Sequence, residues 1–187
     1  MTRRAIFLDA NVLVPVSLTD LILRLTEAGL VEPFWSQRVL DEAIRAVKRR
    51  RPDLVPAGID ARFASMCRFF PDAMVDDGDV DPSEYPSPDA NDRLVIGAAH
   101  RSPADTVVTR NLAHFPDSTL SRYGLRAVTA DTLMLELLTA APETMREVIL
   151  DIQTDLHSPP LAIEDILKNL AEAGIPEFAS QVRLLLQ

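Results

Sequence analysis

The sequence predicts an α/β fold: a central parallel sheet with helices on both faces, followed by a helical C-terminal extension. Three observations carry this. Short continuous apolar runs, Ala5-Ile6-Phe7-Leu8 and Thr106-Val107-Val108-Thr109, suit parallel strands buried on both faces. Segments of helical apolar spacing alternate with the strands, as in βαβ units. From Pro142 onward only helical patterns remain. The 187 residues suit one domain with an appendage. We therefore divide the chain into a domain over 1–141 and a helical extension over 142–187, packed on that domain or on a partner.

In chain order, residues 5–8 form the first strand. Ser17 to Thr19 can cap a helix over Asp20–Ala28, with Gly29 as its stop. Leu30–Trp35 reads as a second strand, and Pro33 suggests an edge strand or an early position in it. Ser36 is a natural N-cap for a helix from Gln37 into the basic run Lys48-Arg49-Arg50-Arg51, which Pro52 ends. A helix covers about Asp60–Phe70. The acidic, proline-bearing stretch Met74–Pro88 is a loop. Its Asp77, Asp79 and Asp81 match the opening of a calcium loop. However, Pro82 replaces the required Gly and Pro88 the bidentate Glu, so that reading fails. Asp89 caps a small-residue, buried helix. Leu125–Val128 is another strand, and Thr129 to Asp131 cap a helix through Leu138. Helices follow over Glu143 to about Leu156, Ala162–Ala173 and on to Leu186, with breaks at Pro159-Pro160 and Gly174-Ile175-Pro176.

Composition narrows the class. The chain is 47% hydrophobic, enough for a real core, without a run of about 18 apolar residues to span a membrane. The single Cys67 excludes an internal disulfide and a multi-cysteine zinc site, and its neighbours Phe63, Met66 and Phe70 make it a core thiol. With Met1-Thr2-Arg3-Arg4 leading straight into a strand, a cytoplasmic protein is expected. A net charge of −9 is not the footprint of a general nucleic-acid binder, but it suits acidic metal sites and a basic partner.

Several polar residues fall where such sheets bind ligands, at strand ends and the starts of the following helices. Asp9 ends the first strand; taken alone it fits either a turn cap or a metal ligand. Asp89 and Asp92 open a helix, where an N-cap with a first-turn acid is the alternative. Glu42 lies at the border of the apolar stripe Val39, Leu40, Ala43, Ile44 and Val47 or outside it, where a solvated glutamate is the stronger reading for the residue taken alone. Thr109 and Asn111 end a later strand. Clustered carboxylates need a cation, and hard oxygen ligands select Mg²⁺ or Mn²⁺. The chemistry this suits is metal-assisted attack of water on a phosphodiester.

Four stretches carry a resemblance: Phe-Leu-Asp-Ala-Asn-Val-Leu (7–13), Val-Leu-Asp-Glu-Ala (39–43), Pro-Asp-Ala-Asn-Asp-Arg-Leu-Val-Ile-Gly-Ala-Ala (88–99) and Val-Val-Thr-Arg-Asn-Leu-Ala-His-Phe-Pro (107–116). In order and spacing the chain resembles PIN-domain ribonucleases over residues 5–135, and within them the VapC-like toxins of bacterial toxin–antitoxin modules. The resemblance implies an α/β/α sandwich, Mg²⁺ or Mn²⁺, and cleavage of RNA to 5′-phosphate and 3′-hydroxyl ends. It implies Asp9, Glu42 and Asp92 as catalytic metal-binding acids, with Asp89 as a neighbouring acid. Asn11 and Thr109 would hold those acids in place. Two positions depart from the family pattern. Asn111 replaces a frequent fourth acid, leaving a three-acid site, and His114 stands where an Asp commonly precedes Phe-Pro. We read His114 as a surface-loop histidine.

Arg45, Lys48 and Arg49, with Arg50 and Arg51, follow Glu42 on its helix and could hold RNA phosphates; a solvated helix C-terminus is the alternative. Trp35 could stack on a base, but its strand-end position favours the core. The expected function is a metal-dependent endoribonuclease, the toxin of a pair, neutralised by a small cognate antitoxin with a basic tail, and a homodimer like other such domains. A PIN-like module that binds RNA or protein without cutting is the second reading. An aspartate-dependent phosphatase with Asp9 as nucleophile is the third, although Asn11 stands where its second acid belongs.

Overall fold

The computed structural model describes residues 3–155 and 161–186. Its centre is a five-stranded, all-parallel sheet in the order β3-β2-β1-β4-β5. The strands are β1 (Arg4–Leu8), β2 (Val31–Ser36), β3 (Met74–Val75), β4 (Thr106–Val108) and β5 (Arg126–Val128). Ile6, Phe7 and Leu8 are all fully buried. Successive strand residues point to opposite faces, so both faces of β1 are covered. The apolar runs thus become central strands of an α/β/α sandwich, as the sequence predicts.

Between β1 and β2 lie α1 (Ala10–Leu13) and α2 (Val16–Glu27); between β2 and β3, α3 (Gln37–Arg50) and α4 (Pro56–Phe69). α5 (Ala90–Arg101) leads to β4 and the short α6 (Asp117–Leu120) to β5. Crossovers between parallel strands are right-handed. The first two step one way along the sheet and the later ones the other way, so α5 lies on the face opposite α2 to α4. The direction reverses at β1, and the crevice between the carboxyl ends of β1 and β4 is where such sheets bind ligands.

Four helices follow: α7 (Ala130–Ala140), α8 (Pro142–Asp155), α9 (Ile163–Glu172) and α10 (Pro176–Leu185). α8 and α9 pack on α2, and α10 packs on α7 and α9. The Asp131 carboxylate of α7 accepts from the Glu177 and Phe178 N–H groups and so caps α10 from outside its own sequence. Gly174 closes α9 in a left-handed conformation, φ +101°. The predicted Pro159-Pro160 break and the helix end at Leu156 lie outside the described residues. No helix among the described residues is long and apolar enough to cross a membrane.

Some local expectations are corrected. α2 begins at Val16 rather than after Thr19; the Thr19 hydroxyl donates back to the Leu13 and Pro15 carbonyls instead of capping. α4 starts at Pro56, with proline at the first turn, rather than at Asp60. β2 is an inner strand, not an edge. Its Pro33 is tolerated because β3 pairs only with Trp35 and Ser36, leaving a strand on one side alone at Pro33. β3 itself lies in the stretch read as pure loop. The rest of that loop docks on α5 at Gly97, and its buried Asp77 meets Arg38 of α3 at 3.5 Å. Trp35 is fully buried in the core, and Ser36 caps α3 as predicted.

A Cβ on Gly97 would stand 2.2 Å from Val80 Cγ1 and 2.9 Å from the Tyr85 ring. Gly97→Ala should therefore cost about 1–3 kcal/mol in urea unfolding. Gly58→Ala in α4, with nothing within 4 Å of the new methyl, should stabilise by about 0.5–1 kcal/mol.

Candidate metal centre

Asp9 sits where β1 ends, with its N–H donating to the Val108 carbonyl of β4 at 3.0 Å. Its backbone is extended and its side chain caps α1, Oδ1 accepting from the Ala10 N–H at 2.7 Å. Oδ2 accepts from the Thr109 hydroxyl at 2.6 Å and from the Asn11 amide. Three donors thus occupy three of the roughly four lone-pair sites of the carboxylate, leaving one on Oδ1. Asp9 is both cap and candidate ligand; the two readings of the sequence are compatible.

The holders of Asp9 are themselves held. Thr109 is fully buried, and its hydroxyl accepts from the Asn111 N–H at 3.1 Å and the Asn11 amide at 3.3 Å. The Asn11 carbonyl oxygen accepts from the Arg110 N–H at 3.1 Å. Asn111 contributes through its backbone to this network.

Burial raises the Asp9 pKa to about 6, against the lowering hydrogen bonds from Thr109 and Ala10; the charges of Asp92 and Glu42 add to the rise. The structure therefore brings the three predicted acids into electrostatic range of one another. Asp92, in the first turn of α5, is half-buried. Burial raises its pKa, the His114 ring opposes the rise, and the Asp89 charge adds to it. Asp89 is exposed and caps α5, accepting from the Asn91 N–H at 2.7 Å. Glu42 is half-buried on α3 and lines a cavity of about 170 Å³ with Arg45, Asp77 and Asn91.

The donor set is chemically apt for a hard cation: carboxylate oxygens, one of them buried, raised in pKa and repelled by its neighbours. Among the described residues no three metal-ligating side chains stand close enough to enclose an ion by themselves.

His114 corrects the reading as a plain surface-loop histidine. Its Nδ1 donates to Asp92 Oδ2 at 2.5 Å. Its place before Phe-Pro, where the family carries an acid, was the signal available in the sequence. Arg110, between Thr109 and Asn111, was also missed. Its guanidinium donates to the Ala173 carbonyl at the end of α9. Of the basic run, Lys48 pairs with Asp60 at 2.8 Å and Arg51 with Asp53 at 2.7 Å. Arg45, Arg49 and Arg50 form no ion pair among the described residues.

With this geometry in place, comparison with known proteins is informative. Residues 5–113 match the PIN domain, and the chain belongs to the PIN-domain family. Residues 130–184 match the VapC50 C-terminal domain. Over 94 residues the chain is 37% identical to "Putative ribonuclease VapC50" of Mycobacterium tuberculosis (strain ATCC 25618 / H37Rv), covering 50% of this chain and 55% of that protein. The chain thus spans about half the length of the curated relative it matches. No solved structure matches it.

The raised pKa of Asp9 has a consequence for stability. Between the ordinary carboxyl value of 3.8 and about 6, the folded state binds more protons than the unfolded state. Stability contributed through Asp9 therefore falls as pH rises through that window, at up to about 1.4 kcal/mol per unit. In urea unfolding, Asp9→Asn should be more stable than wild type by about 1–2 kcal/mol above the window. The gap should close below it. A gap of the opposite sign at neutral pH would contradict the assignment.

Proposed function

We propose that the protein is a metal-dependent endoribonuclease that hydrolyses RNA phosphodiester bonds, and that it acts as the toxin of a toxin–antitoxin pair. One observation carries the reading: the buried Asp9 at the β1–β4 crevice, with Asp92 and Glu42 near enough to raise its pKa. Asp9, Asp92 and Glu42 would hold Mg²⁺ or Mn²⁺, with Asp89 as a flanking acid beside its capping role. When bound there, the ion would supply an activated water and neutralise charge developing on the phosphate. Thr109 and Asn11 keep the Asp9 carboxylate oriented, Asn111 supports Thr109 through its N–H, and His114 aims Asp92. Arg45 and Arg49 take RNA phosphates, with Lys48 adding charge beside its pair with Asp60. Cleavage would leave 5′-phosphate and 3′-hydroxyl ends.

The same reading extends to partners. The acid-rich site in a chain of net charge −9 is complementary to a small antitoxin with a basic tail, whose arginine would mimic the metal's charge. A homodimer, a cytoplasmic setting and a division at residue 141, with 142–187 as an extension, complete the proposal. The similarity to the mycobacterial "Putative ribonuclease VapC50" supports the ribonuclease class.

The test is cleavage of a panel of structured RNAs with Mn²⁺ or Mg²⁺, with EDTA, and with Asp9→Asn in parallel. Cutting should require the metal and fall at least about 100-fold in Asp9→Asn, and by about 10–100-fold in Thr109→Val. Calorimetry with Mn²⁺ separates the alternatives if nothing is cut. Metal bound without cleavage points to the wrong RNA, and no metal bound points to a non-cutting binding module.

A further inference from the structure

A cavity of about 630 Å³ opens beside the metal centre, between the start of α2, the end of α3 and the C-terminal helices α8 and α9. Its walls are largely aliphatic, from Val14, Pro15, Leu54 and Leu170. Val16, 62% exposed, stands in it with no apolar cover. Arg50 lines its edge, as does Ala173, whose carbonyl accepts from the Arg110 guanidinium. Neither Arg50 nor Arg110 forms an ion pair among the described residues. Burial, with the Arg50 charge adding to it, pushes the Arg110 pKa below the ordinary arginine value.

Two guanidiniums at one end of the cavity, neither in an ion pair among the described residues, suit an anion there. The acids of the cavity, Asp20 and Glu172, are already paired with cations: Asp20 at 2.9 Å with Arg24, which lines the same cavity, and Glu172 at 4.0 Å with Lys168. Arg110 spans the distance to the acids: its N–H donates to Asn11, which holds Asp9, while its guanidinium reaches Ala173 at the cavity. An RNA strand entering the crevice would place a flanking phosphate on these guanidiniums and its sugar or base against the aliphatic wall. α9 supplies part of that wall and the backbone contact that steadies Arg110.

We propose that this cavity, with Arg50 and Arg110, seats single-stranded RNA flanking the phosphodiester presented to Asp9, so that the C-terminal helices form one wall of the substrate path. The proposal rests on the ribonuclease reading above. It assigns the C-terminal helices a part in substrate binding.

The test measures affinity of the full-length Asp9→Asn protein for a short single-stranded oligoribonucleotide, which stays intact in that background, at two salt concentrations. Arg50→Ala removes one guanidinium, and Val16→Glu sets a negative charge in the wall. Both positions are exposed, so folding is unaffected, whereas Arg110 is left in place because it also holds α9. Each variant should bind about tenfold more weakly, and Arg50→Ala should reduce the salt slope by about one. Arg146→Ala, an exposed arginine of α8, should change neither. Wild-type affinity and slope in both Arg50→Ala and Val16→Glu would overturn the proposal. If wild type neither binds Mn²⁺ nor cuts RNA while these variants still lose affinity, the binding site stands and the ribonuclease reading falls.

Discussion

The structure turns on one buried carboxylate. Asp9 is placed at the reversal point of a parallel sheet, almost sealed from water, and surrounded by donors that orient it without neutralising it. Burial alone would favour its protonated form, and Asp92 and Glu42 push the same way. Burial and repulsion both penalise the ionised form, and a cation beside it would remove the two penalties together. The surrounding hydrogen bonds offset only part of the penalty on this charge, and they fix where it points.

The support for that geometry comes from distant parts of the chain. Thr109 reaches it from β4 and His114 aims Asp92 from the turn beyond. Arg62 of α4 donates to the Leu13 and Val14 carbonyls and to Thr19, pinning the junction of α1 and α2 just behind Asn11. Arg110 joins the same strand end to α9. Each is a long-range contact, so the centre becomes defined only when the sheet, the α3–α4 layer and the C-terminal helices are all assembled.

Much of this was legible in the sequence. The strands of the sheet's centre announced themselves as apolar runs, and the acids fell at strand ends and helix starts because doubly wound sheets gather those positions on one side. Ser36, Asp89 and Thr129 were readable as caps because their side chains act on the next few residues only. What escaped depended on contacts far along the chain. β3 is two residues long and has no pattern of its own; only its pairing with Trp35 and Ser36 makes it a strand. His114 and Arg110 look like loop residues until tertiary structure sets them against Asp92 and Ala173. The early start of α2 depended on Thr19 donating backward, a choice that a local cap rule does not anticipate.

The two outer strands of the sheet, β3 with two residues and β5 with three, also bear on how copies of the chain can meet. An edge this short offers few open peptide groups to a foreign strand, and at β5 the guanidinium of Arg126 is fastened to Glu136 of α7. Extension of the sheet from one molecule into the next is thereby closed off. The helix-covered faces carry no such barrier, so they are the ground left open to contact between copies.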